Sequence, residues 1–382
     1  MGAMDKELVG RVDRFLAKHF LWLGLLAMGL GLRIGEPLAP LQRGTPYYLA
    51  FIMFTGALGC RVRDFSRTLK PGKVAGILVL MYGVTPLAGW VLARVFLGAE
   101  PELMAGQIFA AVLPAGITAS VWTIMAGGDL PLALSLVVLA TLLSGLLTPG
   151  LFRLLAGRGL DFHPWGMAAD MGKVVILPVL AGVYISERGI PPYVERMRPA
   201  AAVVVKGGMI LIMAVYAGIL TPHLAGLGLG AINVALAMFL QFLLSYLIPF
   251  VLARKLPLPE RIAIAFANGV RNIVGGTIIA MAHLPPRVVL PLILGLLLQN
   301  PMGAAMYKVF ASYCANLPGG RSPSGKEGER PTAKEKGGYE PTKGGRCDDE
   351  WQDAGARQSG GCSGGRHPGS RHPQDRPERY PG

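Results

Sequence analysis

The sequence predicts an all-α membrane protein, with ten transmembrane helices built as two inverted repeats of five. Three observations carry that prediction. The chain has 382 residues, 52% of them hydrophobic and only 16% charged, which is too apolar for a soluble protein of this size. Ten apolar runs follow one another, each long enough to cross a bilayer once flanks or tilt are allowed. Runs 2–5 then recur as runs 7–10 at an offset of about 155 residues. Five spans per half is an odd number, so the second half enters the membrane from the opposite side.

Residues 1–14 carry both basic and acidic side chains and form an N-terminal segment. The stretch FLWLGLLAMGLGL (20–32) follows basic residues as a signal-peptide core would, but no small-x-small cleavage site comes after it. It is therefore taken as the first membrane helix. Runs 15–32, 47–62, 74–97, 103–127 and 131–155 make the first repeat, residues 15–160. Runs 165–187, 200–224, 230–253, 261–284 and 286–311 make the second, residues 161–315. Residues 316–382 are rich in Gly, Pro, Arg and Ser and almost free of aliphatic side chains. Such a segment buries too little apolar area to offset its ordering entropy, so a disordered basic tail is expected.

Loop charges orient the chain. With residues 1–14 inside, the inner segments carry Lys6, Arg11, Arg14 and Lys18, then Arg61, Arg63, Arg67, Lys70 and Lys73. Further along they carry Arg188, Arg196 and Arg198, then Arg254, Lys255 and Arg261, and last Lys308. The outer segments carry only Arg33, Arg43, Arg94, Arg153, Arg158 and Arg287. This bias predicts a multi-pass protein of the cell membrane with both termini in the cytoplasm. Of the net charge of +14, +12 lies in residues 1–315, where the basic residues sit mainly in short loops between apolar runs, with no accompanying nucleic-acid motif. It points to a lipid bilayer and not to nucleic acid. The four cysteines (Cys60, Cys314, Cys347 and Cys362) show no CxxC spacing, and no histidines are paired at ligand spacing. No metal site and no cofactor are expected. No nucleophile–base set or phosphate loop is visible either, so an enzyme is not expected.

Two runs are interrupted at matching places. Run 4 contains LPAGITAS, residues 113–120, where Pro114 removes a helical hydrogen bond and Gly116 loosens the backbone. Adding the repeat offset lands on NGVRNIVG, residues 268–275, where Gly269, Gly275 and Gly276 are expected to do the same. Unwound backbone at mid-membrane is tolerated only against protein or a watery cavity. The side chains at the breaks are Thr118, Ser120 and Thr123 on one side and Asn268, Arg271 and Asn272 on the other. Gln299 and Asn300 interrupt run 10 just before Pro301, which adds Asn300 to the candidate site. An intramembrane charge is costly, and it is kept where it serves a function. The set suits a polar or anionic small molecule.

The chain resembles the bile acid:sodium symporter superfamily. The resemblance rests on IMFTGALGCRVRDF (52–65), PAGITASVWTIMAGGDLPLALS (114–135) with LLTPGLF (146–152), FANGVRNIVGG (266–276) and QNPMG (299–303). It covers about residues 10–312. It implies a panel domain (helices 1, 2, 6 and 7) beside a core domain (helices 3, 4, 5, 8, 9 and 10), with broken helices 4 and 9 crossing in the core. It also implies transport of a small organic anion, usually driven by sodium. The positions matching the family's sodium ligands are Met81, Ala119 and Ser120, Ala133 and Val137, and Ala267 and Arg271. Nearly all of those ligand side chains are missing here, so sodium coupling is in doubt and Arg271 reads as a built-in replacement for the ion. Two other readings stay open. One is the superfamily's metalloid efflux branch, which uses a cysteine in the fourth helix, although no cysteine lies between Cys60 and Cys314. The other is a membrane sensor that binds a ligand without moving it.

Overall fold

The computed structural model describes residues 3–60, 71–157, 160–224, 228 and 230–315. The chain divides into two units, Met1–Gly325 and Lys326–Gly382, and all described residues lie in the first. The expected tail, 316–382, and the basic stretch 61–70 lie outside the described residues.

Fourteen α-helices are described. They are α1 (Ala3–Ile34), α2 (Thr45–Ala57), α3 (Pro71–Val79), α4 (Thr85–Leu97), α5 (Pro101–Val112), α6 (Thr118–Met125) and α7 (Leu130–Ala156). Then come α8 (Pro164–Met171), α9 (Leu177–Arg188), α10 (Pro192–Leu224), α11 (Gly230–Leu252), α12 (Leu258–Gly269), α13 (Ile273–His283) and α14 (Leu290–Ala315). Among the described residues there is no β-strand, so this is an all-α protein. Each of the ten apolar runs contains α-helix among its described residues. Among the described residues, seven helices are long and apolar enough to cross a membrane: Glu7–Ile34, Gly72–Leu97, Leu130–Ala156, Pro164–Arg188, Pro192–His223, Gly230–Leu252 and Pro286–Cys314. The other three runs fall short for plain reasons. Helix α2 has 13 residues up to Ala57, and runs 4 and 9 are each divided into two short helices.

The outward faces are apolar. Trp22, Leu26, Val95, Leu146 and Leu154 are exposed, which suits contact with acyl chains and not with water. Helix α1 begins at Ala3, earlier than the hydrophobic run that defines it. A Glu7–Arg11 pair, spaced i,i+4, supports its polar first turns. Two long helices pass through a π turn, Leu80–Val84 in run 3 and Gly172–Ile176 in run 6. A proline follows each at once, Pro86 and Pro178. Its ring excludes the carbonyl four residues back, and the wider turn absorbs the misfit.

Helix α1 packs along α10, and α2 packs on α9. Helix α4 packs on α5 and α11, and α11 on α12 and α14. Ion pairs tie helix ends together. Lys73 meets Glu260 at 2.7 Å, and Arg287 meets Glu100 at 3.2 Å. Lys206 meets Asp13, and Asp170 sits between Lys173 and His283.

The α1–α10 contact yields a paired prediction. A Cβ at Gly31 would lie 2.1 Å from the Ala214 carbonyl oxygen, whereas one at Gly29 would meet nothing within 4 Å. Gly31→Val should lower the melting temperature clearly, as overpacking costs about 1–3 kcal/mol. Gly29→Val should leave it nearly unchanged. Thermal unfolding in detergent separates the two.

A charged residue between two broken helices

The break in run 4 covers Leu113–Ile117, between α5 and α6, and that in run 9 covers Val270–Asn272, between α12 and α13. Both are shorter than the sequence pattern implied. Gly269, Gly275 and Gly276 lie inside helices and do not unwind the chain. Two of them permit close approach instead. A Cβ at Gly269 would stand 2.3 Å from the Tyr246 ring, and one at Gly276 would stand 2.2 Å from the Leu113 side chain.

The two breaks satisfy each other's backbone. Ala115 and Arg271 form an isolated antiparallel bridge. The Gly116 amide donates to the Val270 carbonyl at 2.8 Å, and the Asn272 amide donates to the Pro114 carbonyl at 2.9 Å. Groups that lipid would leave unpaired are thus paired across the breaks. Gly116 is required by the approach, since a Cβ there would lie 2.9 Å from the Arg271 carbonyl oxygen.

Arg271 is 2% exposed and among the largest fully buried side chains. Its backbone amide donates to Gln299 Oε1 at 3.0 Å, and its Nη1 donates to the Leu113 carbonyl at 2.8 Å. Leu113 caps the C-terminus of α5, where free carbonyls carry partial negative charge, so the guanidinium stands at an attractive helix end. Its Nε and Nη2 are buried and have no hydrogen-bond partner among the described residues. Tyr82, in the π turn of run 3, lies within electrostatic range of Arg271 and donates its own hydroxyl to the Ala140 carbonyl.

The other candidate residues differ in what they do. Asn268 is fully buried; its Nδ2 donates to the Ile264 carbonyl, and its Oδ1 lies 3.3 Å from the Thr85 hydroxyl. Asn272 caps α13, accepting from the Gly275 amide at 3.1 Å, and its Nδ2 faces Met53 Sδ. Ser120 and Thr123 are buried, but their hydroxyls donate to the carbonyls of Ile117, the N-cap of α6, and of Ala119. Thr118 is exposed at the start of α6. Asn300 is half-buried, and the run-10 residue that bonds to the break is its neighbour Gln299. Tyr82, Thr85 and Gln299 therefore join the site. Two of them could have been suspected as polar side chains near the middle of apolar run 3. A narrow space beside the breaks is lined by Phe109, Leu113, Pro114, Met171, Val175 and Asn272, where α5 and α13 face α8 and the run-6 π turn.

A multi-pass helical protein with paired, polar breaks buried inside it has the form of a membrane transporter, and comparison with known proteins agrees. The profile of the Sodium Bile acid symporter family matches residues 46–226. The uncharacterized protein YbaS of Bacillus subtilis is 26% identical over 278 residues, covering 72% of this chain and 91% of that protein. The probable chloroplastic sodium/metabolite cotransporter BASS1 of Arabidopsis thaliana is 26% identical, over 55% of this chain and 51% of its own. The human hepatic sodium/bile acid cotransporter is 24% identical, over 70% of this chain and 79% of its own. The profile match and these relatives support membership of the bile acid:sodium symporter superfamily.

The cap and the close approach are testable by thermal unfolding. Asn272→Ala should cost about 1 kcal/mol and Asn272→Ser much less, because serine also caps. Gly269→Ala should cost about 1–3 kcal/mol through its clash with Tyr246.

Proposed function

We propose that the chain is a secondary transporter of a small organic anion, working by alternating access, with the anion bound where broken runs 4 and 9 cross. In this reading ten helices span the bilayer as two inverted five-helix repeats. Ala115 and Arg271, which bridge, are 156 residues apart, close to the repeat offset. Thr123 and Thr277 each donate to the carbonyl four residues back and are 154 residues apart. These correspondences support the repeat. The packing of α1 on α10 and of α2 on α9 supports a panel of runs 1, 2, 6 and 7 beside a core of the other six. The names of the relatives, a sodium/metabolite cotransporter and a sodium/bile acid cotransporter among them, support an organic anion as substrate.

One observation carries the reading furthest. Arg271 is a buried cation held at a helix C-terminus, with two donors free. Met81, Ala119, Ala133, Val137 and Ala267, which stand at the family's sodium-ligand positions, are buried in the apolar core and offer no side-chain oxygen. A fixed guanidinium takes the place of the ion, and transport is independent of sodium.

A stability screen in potassium buffer tests this. At least one of pyruvate, lactate and cholate should raise the melting temperature of the purified protein, because a ligand that binds only the folded state stabilises it. Arg271→Ala should abolish that rise; if this variant folds and binds as the wild type does, the reading fails. The double variant Ala267→Glu, Arg271→Gln should gain sodium-dependent stabilisation, since it restores an acid and an amide where the positive charge stood.

A further inference from the structure

We propose that the carrier exchanges one carboxylate for another and does not return empty, because its cation is covalently fixed. The proposal rests on the transport reading above and narrows it, since a fixed cation alone is compatible with uniport, proton linkage or exchange.

The geometry of Arg271 defines the seat. Nη1 is committed to the Leu113 carbonyl. The unpartnered Nε and Nη2 share one edge of the guanidinium plane. Two parallel donors on one edge match the two oxygens of a carboxylate. Among the described residues no acid forms an ion pair with Arg271. Several described acids pair elsewhere: Asp170 with His283, Glu260 with Lys73, Glu100 and Glu102 with Arg287. Tyr82 is the ionisable neighbour, and its hydroxyl is spent on the Ala140 carbonyl. Nothing in this set offers a carboxylate that would neutralise Arg271 or accept a proton beside it.

The charge arithmetic then separates the modes of transport. A carrier that binds free sodium releases the cation with its substrate and returns without it. Here the cation cannot leave. With a monocarboxylate on the Nε–Nη2 edge the moving site is neutral, whereas without one it carries a bare buried charge. A bare charge in a low-dielectric interior is strongly disfavoured. The loaded site crosses readily in both directions, and the empty site crosses slowly. That difference makes anion-for-anion exchange the fast mode, and with equal charges moving in opposite directions it is electroneutral.

The test uses the full chain in liposomes with potassium salts only. Labelled pyruvate, lactate and cholate are each offered outside vesicles loaded with the same acid or with buffer alone. For the acid that is carried, initial uptake should be at least about tenfold faster into acid-loaded vesicles. That exchange rate should not respond to a potassium diffusion potential. Equal rates under both loadings overturn exchange and leave the transport reading standing. A lack of protein-dependent uptake of all three acids under both loadings overturns the transport reading and this inference with it. Arg271→Lys keeps the charge and loses the two-donor edge, so affinity should fall about tenfold while the preference for loaded vesicles remains. If that variant does not fold, the wild-type comparison decides alone.

Discussion

The structure turns on one hydrogen bond, from the guanidinium of Arg271 to the carbonyl of Leu113, made where two interrupted helices meet. Interrupting a helix inside a membrane frees polar backbone groups that lipid cannot satisfy. The surrounding features make such an interruption tolerable. Backbone bonds run from each break to the other, Asn272 caps the helix that resumes, and Gln299 accepts the Arg271 amide. Gly116 and Gly269 let the backbones and the Tyr246 ring approach. The charge stands at the carbonyl end of α5, where the helix dipole favours a cation.

The same constraint explains a correlated set of apolar residues. A cation site can be built from a mobile ion with several oxygen ligands, or from one tethered charge. The two are alternatives, because a sodium ion beside a guanidinium would be repelled. Met81, Ala119, Ala133, Val137 and Ala267 are buried apolar core residues, which is what the second design requires on the proposed reading. On the proposed reading, that design keeps the attraction for an anion and gives up the means of coupling to a sodium gradient. The family profile ends at residue 226, so Arg271 lies outside the stretch that it matches.

Much of the architecture was legible in the sequence, because membrane helices announce themselves by apolar length and because Pro114 marks a break almost alone. The repeat offset located the second break, and the bridge between Ala115 and Arg271 falls on that register. What was misjudged depends on packing. Gly269 and Gly276 read as helix breakers, yet they are contact points for Tyr246 and Leu113, and only three-dimensional neighbours reveal that role. The sequence did not show that the Ser120 and Thr123 hydroxyls bond their own preceding turn, as a buried hydroxyl in a helix can. Gln299 was eclipsed by Asn300, because adjacent residues on a helix point in different directions and composition cannot choose between them. Tyr82 and Thr85 were passed over because they carry no charge and match no motif.

The central claim is that Arg271 stands in for the sodium ion. It is tested most directly by titrating the purified wild-type chain with sodium chloride against potassium chloride, with no organic anion present, and following its melting temperature. The account predicts that the two curves superimpose at every concentration. A rise specific to sodium that saturates would reveal an intact sodium site and contradict it.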